Sequence, residues 1–370
     1  MTIMRAILYW GLTVILTFIG TFPLSAQRID EEPNLEALYQ QIDDAIDHSS
    51  QYVAQRLSKI GNARDMLQGA SSNEEQLAVA EQLFELYKPF KNDSALYFAD
   101  LCISLSDSLK LKNKVGLYRS LKAYQCSISG MYVEALDLLK GVDKQVLSNG
   151  ELAKYYATWM HVYGELGSYS QQSSRREYYF GLQDSYRDSV LAVAEEGSEE
   201  FLHLKMDVLC ARQLYQDALA VSEKWLSEVT DGTHENAYAA FYRSVVYDKL
   251  SNSQQLRYWL GKSALDDIKC AVNDQASLFM LAERLCDDGD FDRAYRYVRF
   301  CESCNRKFSP QLRNYQVRYA VNVYNMAYQN AQASYSRLLI VACVAAVLLM
   351  AVLGYFVLRL RRQPKQSKRN

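Results

Sequence analysis

Turn-forming residues are scarce in this chain, with 5 Pro and 16 Gly in 370 residues. An all-β sandwich or barrel needs a Gly, Pro or Asn turn about every 8 to 12 residues, so that architecture is excluded. Histidine is scarce as well: His48, His161, His203 and His234 are scattered, with no H-x-x-x-H or H-E-x-x-H pair to grip a metal. No Gly-rich phosphate loop and no G-x-S-x-G elbow occurs, so neither an enzyme nor a cofactor is expected. What is abundant is apolar and aromatic: 49% of residues are hydrophobic and 28 are Tyr. That composition excludes a disordered chain and predicts a mostly helical, folded one.

The formal net charge of −2 conceals an asymmetry. Arg359, Arg361, Arg362, Lys365, Lys368 and Arg369 crowd the last twelve residues, and Arg5 and Arg337 flank the two long apolar runs. Without these eight positives, residues 27–336 carry a formal −10, which argues against a nucleic-acid surface on the main body.

The two apolar runs set the expected topology. Arg5, the run from Ala6 to about Phe22, and Ser25-Ala26 before Gln27 read as the charged, apolar and cleavage regions of an export signal over 1–26. The run is slightly long and Leu24 is not the small residue preferred three before the cut, so an uncleaved anchor is the other reading; both export the chain from Gln27 onward. Leu338 to Leu358 is uncharged over 21 residues, enough to cross a hydrocarbon core of roughly 30 Å. The basic tail at 359–370 then lies in the cytoplasm by the positive-inside rule, with 27–336 in the periplasm of an inner-membrane, single-pass protein. That tail is read as a topology anchor that also touches anionic lipid.

The body repeats itself. Gly130-Met131-Tyr132-Val133-Glu134-Ala135-Leu136 recurs as Gly289 to Tyr295. Weaker copies are Gln213 to Leu219, Gly167-Ser168-Tyr169, Ser251 to Leu256 and Phe90 to Ala95. The spacing is about 40 residues, the scale of one helical hairpin: glycine permits the turn, the aromatic fills the gap beside it, and alanine lets the second helix approach. This string resembles the tetratricopeptide repeat (TPR), without the proline that often closes that repeat and with a period above the usual one. The expected fold is all-α: a TPR-like helical-hairpin solenoid over 75–305, followed by one C-terminal transmembrane helix. Residues 27–74 form an N-terminal capping region, in which Asn34 to Leu67 reads as one amphipathic helix covering the first hairpin. A juxtamembrane helix occupies 306–337, restarting after Pro310.

Candidate functional residues come from this geometry. His161 and His203 fall at first-helix positions facing the concave groove, as do Tyr238, Phe241, Val245 and Asp248 of the fifth unit. The bland alternative is a solvated or hydrogen-bonded His and ordinary packing aromatics. Cys301-Glu302-Ser303-Cys304 places two thiols on one helix face, readable as a disulfide, half of a metal or redox site, or packed thiols; the other cysteines read as small core residues. Paired carboxylates such as Asp266-Asp267, Glu199-Glu200 and Asp287-Asp288 read as solvated surface.

Three stretches carry a closer resemblance: Tyr87 to Ala99 (YKPFKNDSALYFA), Trp259 to Asp267 (WLGKSALDD) and Gly289 to Val298 (GDFDRAYRYV). They resemble a Bacteroidota family of exported TPR membrane proteins of unknown function, over about 35–360. Longer members of that family continue past the membrane into a coiled coil and a helix-turn-helix-like region and are often labelled transcriptional regulators. This sequence ends twelve residues beyond the span and lacks that effector region, so no nucleic-acid binding is expected of it. The resemblance implies a membrane-anchored protein-interaction or ligand-sensing domain, taking a protein, peptide or glycan in its groove. A structural scaffold for envelope complexes, or a truncated remnant of a transmembrane regulator, are the alternatives.

Overall fold

In the computed structural model, residues 33–308 and 311–362 are described, and they form 15 α-helices and no strand. The expected signal at 1–26 and the basic tail from 363 onward lie outside the described residues. The helices are α1 (Leu35–Asp47), α2 (Ser49–Gly69), α3 (Asn73–Tyr87), α4 (Asn92–Ser108), α5 (Lys112–Ile128), α6 (Tyr132–Lys140), α7 (Asn149–Tyr169) and α8 (Ser173–Val193). They continue as α9 (Glu199–Ala211), α10 (Tyr215–Glu228), α11 (His234–Lys249), α12 (Ser253–Lys269), α13 (Ala276–Asp287), α14 (Phe291–Phe308) and α15 (Gln311–Arg362). From α3 to α14 they pair in sequence into six antiparallel hairpins, the TPR-like solenoid.

Local chemistry starts the first helix of most hairpins. The hydroxyls of Ser72, Ser148, Ser198 and Thr233 accept from the backbone N–H groups of Glu75, Glu151, Phe201 and Asn236 at 3.2–3.4 Å, capping α3, α7, α9 and α11. At α7 the Glu151 carboxylate also receives the Ser148 N–H at 2.8 Å, completing a reciprocal capping box.

Four of the six turns inside the hairpins share one conformation. Gly130 (φ 80°), Gln213 (φ 61°), Ser251 (φ 54°) and Gly289 (φ 87°) are left-handed. In each turn the next N–H reaches back five residues: Met131 to Cys126, Leu214 to Leu209, Asn252 to Tyr247 and Asp290 to Leu285, at 2.9–3.0 Å. This closes the last turn of the first helix and aims the chain into the second. Five residues beyond the turn glycine, or its counterpart, Ala135, Ala218 and Ala294 are fully buried where the two helices meet. The third hairpin departs from the pattern. Gly167 lies inside α7, not in the turn, and a Cβ there would sit 2.7 Å from the Phe180 ring. That glycine permits close approach of α8, and α7 runs on to Tyr169, which makes this hairpin the longest.

The N-terminal segment differs from the expected single helix over the first hairpin. It breaks at His48 into α1 and α2, which serve opposite ends of the array. The apolar stripe Leu38, Tyr39, Ile42 and Ala45 packs α1 with α12, α13 and α14 in one core, while Ile60 and Ala63 of α2 join α3, α4 and α5 in another. One straight helix cannot present both faces. Gly261 of α12 lets α1 settle, since a Cβ there would lie 2.7 Å from Leu38 Cδ2. Arg293 and Arg296 of α14 lock α1 by ion pairs to Glu36 (2.9 Å), Asp43 (3.4 Å) and Asp47 (2.8 Å).

After α14 the chain enters the 52-residue helix α15. Its N-terminal part packs on α14: Val321 is buried in the α1/α12–α14 core and Tyr328 stacks on Tyr295 at 4.8 Å. Tyr328–Arg359 of the same helix is long and apolar enough to cross a membrane.

The shared turn gives a prediction of opposite signs. Gly130→Ala puts a Cβ on a left-handed residue and is expected to lower stability by about 1 kcal/mol, whereas Gln213→Gly relieves the same strain and raises it by a similar amount. Thermal denaturation of both variants checks this; equal signs would refute the shared turn.

Candidate functional site

The side chains with unusual surroundings project from the first helices of successive hairpins. On α9, His203 is 8% exposed and its Nδ1 donates to the Glu199 carbonyl at 3.0 Å, leaving Nε2 as the acceptor of the neutral ring. The imidazole lies 5.1 Å from Tyr242 and 6.5 Å from Tyr238, both on α11. Trp225 of α10 completes the cluster, 5.9 Å from each tyrosine ring, and the two tyrosine hydroxyls share a 3.2 Å hydrogen bond. Burial raises the pKa of both tyrosines and lowers that of His203, so the cluster is uncharged at neutral pH. Asp207, one turn beyond His203, has its carboxyl raised by burial against the pull of His203, Arg187 and Lys249.

A second group flanks the first. His161 on α7 lies against Tyr124 on α5, ring centres 4.7 Å apart, and Tyr124 is 38% exposed. Tyr124 adds to the rise in the pKa of Tyr238 and Tyr242. Glu199 is solvent-exposed, yet burial among protein groups raises its pKa, with Glu200 adding to the rise and Lys88, His234 and Lys154 opposing it.

The sequence-derived residues divide accordingly. His203 and Tyr238 meet in the aromatic cluster, and His161 lies in the neighbouring one. Phe241 abuts Tyr242 edge-on at 5.5 Å and packs on the core shared by α1 and α12–α14. Val245 is partly exposed, and Asp248 forms a 3.2 Å ion pair with Arg284 that ties α11 to α13. Trp225, Tyr242 and Tyr124 join the site without being candidates from the sequence, and Glu199, read there as a solvated acid, lies at the start of the same helix as His203; the Tyr238/Tyr242 and His203/Asp207 pairs at i, i+4 were the available signal. Cys301 and Cys304 are buried free thiols on α14. Burial pushes Cys301 well up and Cys304 up to about 12, which disfavours the thiolate form of both. Among the described residues no three His, Cys, Asp or Glu side chains gather as a metal site.

One carboxylate pair is corrected. Asp266 and Asp267 are 2% and 7% exposed, not solvated. Asp266 accepts from Asn236 Nδ2 at 2.7 Å and Asp267 meets His234 Nδ1 at 2.7 Å, joining α12 to the start of α11. Burial pulls the His234 pKa down, but the hydrogen bond and charge of Asp267 outweigh it and the net shift is upward.

With this geometry in hand, comparison with known families found that the model described as the SusR N-terminal TPR domain matches residues 46–319. No curated protein matched the chain.

The two shifted histidines should respond oppositely to pH. The ordinary His pKa is about 6.5. His234, raised, contributes stability that is full below that value and is lost as pH rises through its folded pKa; His203, lowered, is neutral when folded and costs stability as pH falls below about 6.5. NMR titration of the imidazole C2–H signals, assigned with His234→Gln and His203→Gln, is expected to place His234 above and His203 below a peptide reference. The reverse order would contradict the structure.

Proposed function

The chain belongs to the SusR N-terminal TPR domain family, and on that premise we propose that its helical array is the ligand- or partner-sensing part of a membrane-anchored signalling protein. TPR-type repeats act by binding, and the concave side of the stack is where an extended partner lies along successive first helices. The observation that carries the proposal is the aromatic cluster of His203, Trp225, Tyr238 and Tyr242, with the Tyr124–His161 pair on first helices of the stack. Rigid aromatic faces with polar tips suit a peptide, protein or glycan segment, because they bury area at low entropic cost.

Anchoring is read from α15. The apolar part of Tyr328–Arg359 supports a single span, and Arg359, Arg361 and Arg362 at its end support a cytoplasmic C-terminal side with the repeats in the periplasm. Because α15 continues without a break from the Tyr295–Tyr328 contact into the apolar stretch, a change in the packing of α13 and α14 would be delivered to the membrane.

A second reading, a scaffold for envelope complexes, is favoured by the elongated third hairpin. Tyr169 (42% exposed), Tyr178 (57%) and Phe180 (36%) stand on its surface, outside the His203–Tyr242 cluster.

The two readings separate in a binding assay. Peptides and glycans are screened by thermal shift on the full chain in nanodiscs, and Kd is measured for those that raise Tm. Tyr242→Ala is expected to weaken binding about 30-fold, equivalent to about 2 kcal/mol, and Tyr178→Ala to leave it unchanged. Loss of binding in Tyr178→Ala with full retention in Tyr242→Ala would overturn the groove and favour the scaffold.

A further inference from the structure

The first hairpin of the array meets the end of the fifth. Arg56 on α2 donates through Nε and Nη2 to the Leu86 carbonyl at the end of α3 (3.0 and 2.8 Å) and through Nη1 to the Cys270 carbonyl at the end of α12 (2.6 Å). Its guanidinium lies 5.7 Å from the centre of the Phe90 ring. Asn273, 3% exposed, sends its backbone N–H to the Pro89 carbonyl (2.8 Å) and its side-chain amide to the Phe90 carbonyl (2.6 Å). The turn after α12 is thereby fastened to the turn of the first hairpin, across more than 180 residues of sequence.

This junction is chemically unlike those around it. Apolar cores join α2 to α3–α5, and α1 to α12–α14, but the bonds between residues 86–90 and 270–273 are polar. Separating apolar faces exposes hydrocarbon to water, whereas separated amides, carbonyls and a guanidinium exchange their partners for water at small net cost. The array therefore parts most readily here, with α2 as the hinge, since it contributes Tyr52 to one core and Ile60 to the other. The seam also adjoins the start of α11, one of the helices that carry the aromatic cluster: Cys270 Sγ donates to the Gly232 carbonyl at 3.4 Å, and Asp267 near the end of α12 meets His234 at 2.7 Å.

We propose that Arg56 and Asn273 form a polar clasp that gates the concave groove, the 88–90 and 270–274 turns separating to admit a partner and closing around it. The gating role rests on the groove being the binding site, but the opening itself is measurable with no ligand.

The test uses the full chain in nanodiscs and tracks hydrogen exchange together with N-ethylmaleimide labelling of Cys270, the native thiol at the seam, read by peptide mass spectrometry. In the unaltered chain the buried Asn273 amide is expected to exchange at least about tenfold faster than the Met131 and Leu214 amides of the ordinary turns, through local opening. Arg56→Met with Asn273→Ala is expected to raise Cys270 labelling and exchange at 86–91 and 270–274 about tenfold more, with α4–α10 unchanged. Arg56→Lys, which keeps the charge and loses the fork, gives an intermediate rise and serves where the double variant fails to fold. Asn273 exchange as slow as that of the ordinary turns, no change in the variants, or a rise spread over the whole array would each overturn the clasp. None of these outcomes depends on the Tyr242→Ala binding result, so clasp and groove fail separately.

Discussion

A helical hairpin with an apolar stripe on each helix cannot bury both stripes by itself. Every other feature of this array stems from that constraint. Each hairpin passes its open face to the next, the turns must repeat so that the faces stay in register, and something must cover the two ends. Here the left-handed residue at 130, 213, 251 and 289 sets the register, and the N-terminal segment covers both ends at once. Its split into α1 and α2 is the geometric consequence: Leu38 and Ile42 have to reach α12 while Ile60 and Ala63 have to reach α3. The Arg293 and Arg296 ion pairs with Asp43 then fix α1 on α14, the helix that carries α15.

Much of the fold was legible because the turn chemistry is local. Gly130 and Gly289 advertise a left-handed residue, the alanine five positions on marks the close helix crossing, and the approximately 40-residue spacing comes from their recurrence. Gln213 and Ser251 occupy the same conformation without glycine, so they were recoverable only by alignment to the clearer copies. Gly167 illustrates the limit. A glycine beside an aromatic reads as a turn, but glycine also permits close packing in mid-helix, and only the Phe180 ring lying over Gly167 distinguishes the two. The break at His48 was illegible for a different reason: neither Pro nor Gly marks it, and its cause is that one core lies next in sequence, on α3–α5, while the other lies about 200 residues downstream, on α12–α14.

The site was partly legible on the same grounds. First-helix positions repeat in step with the turns, so His203 and Tyr238 could be placed on one side of the stack, where they meet. Trp225 comes from a second helix and fills the gap behind them, a contact that requires the pitch between hairpins rather than a position within one. Asp266 and Asp267 look like solvated acids in sequence, because nothing local shows that Asn236 and His234 arrive from the neighbouring helix to meet them. Buried charges are set by partners, and partners distant in sequence are the least readable part of a chain.

The distribution of polar and apolar contacts also bears on how such an array could transmit a signal. A stack held by apolar cores resists shear, because closely packed side chains have few alternative arrangements. Polar contacts occur at several helix junctions, but α3 and α12 lie in separate apolar cores, which leaves the hairpins stiff and confines the compliant degree of freedom to the angle between these two helices. On the proposed reading, a partner in the groove biases that angle. The bias then passes along α12 through its shared core with α1, α13 and α14 to the Tyr295–Tyr328 stack. The packed part of α15 ends near that stack, and Tyr335 and Leu338 beyond it are exposed, so whatever displacement survives is delivered where the apolar stretch starts. A seam between two apolar cores is the arrangement in which a small change of angle produces a rigid-body movement, whereas a seam inside one packed core would dissipate it in local repacking.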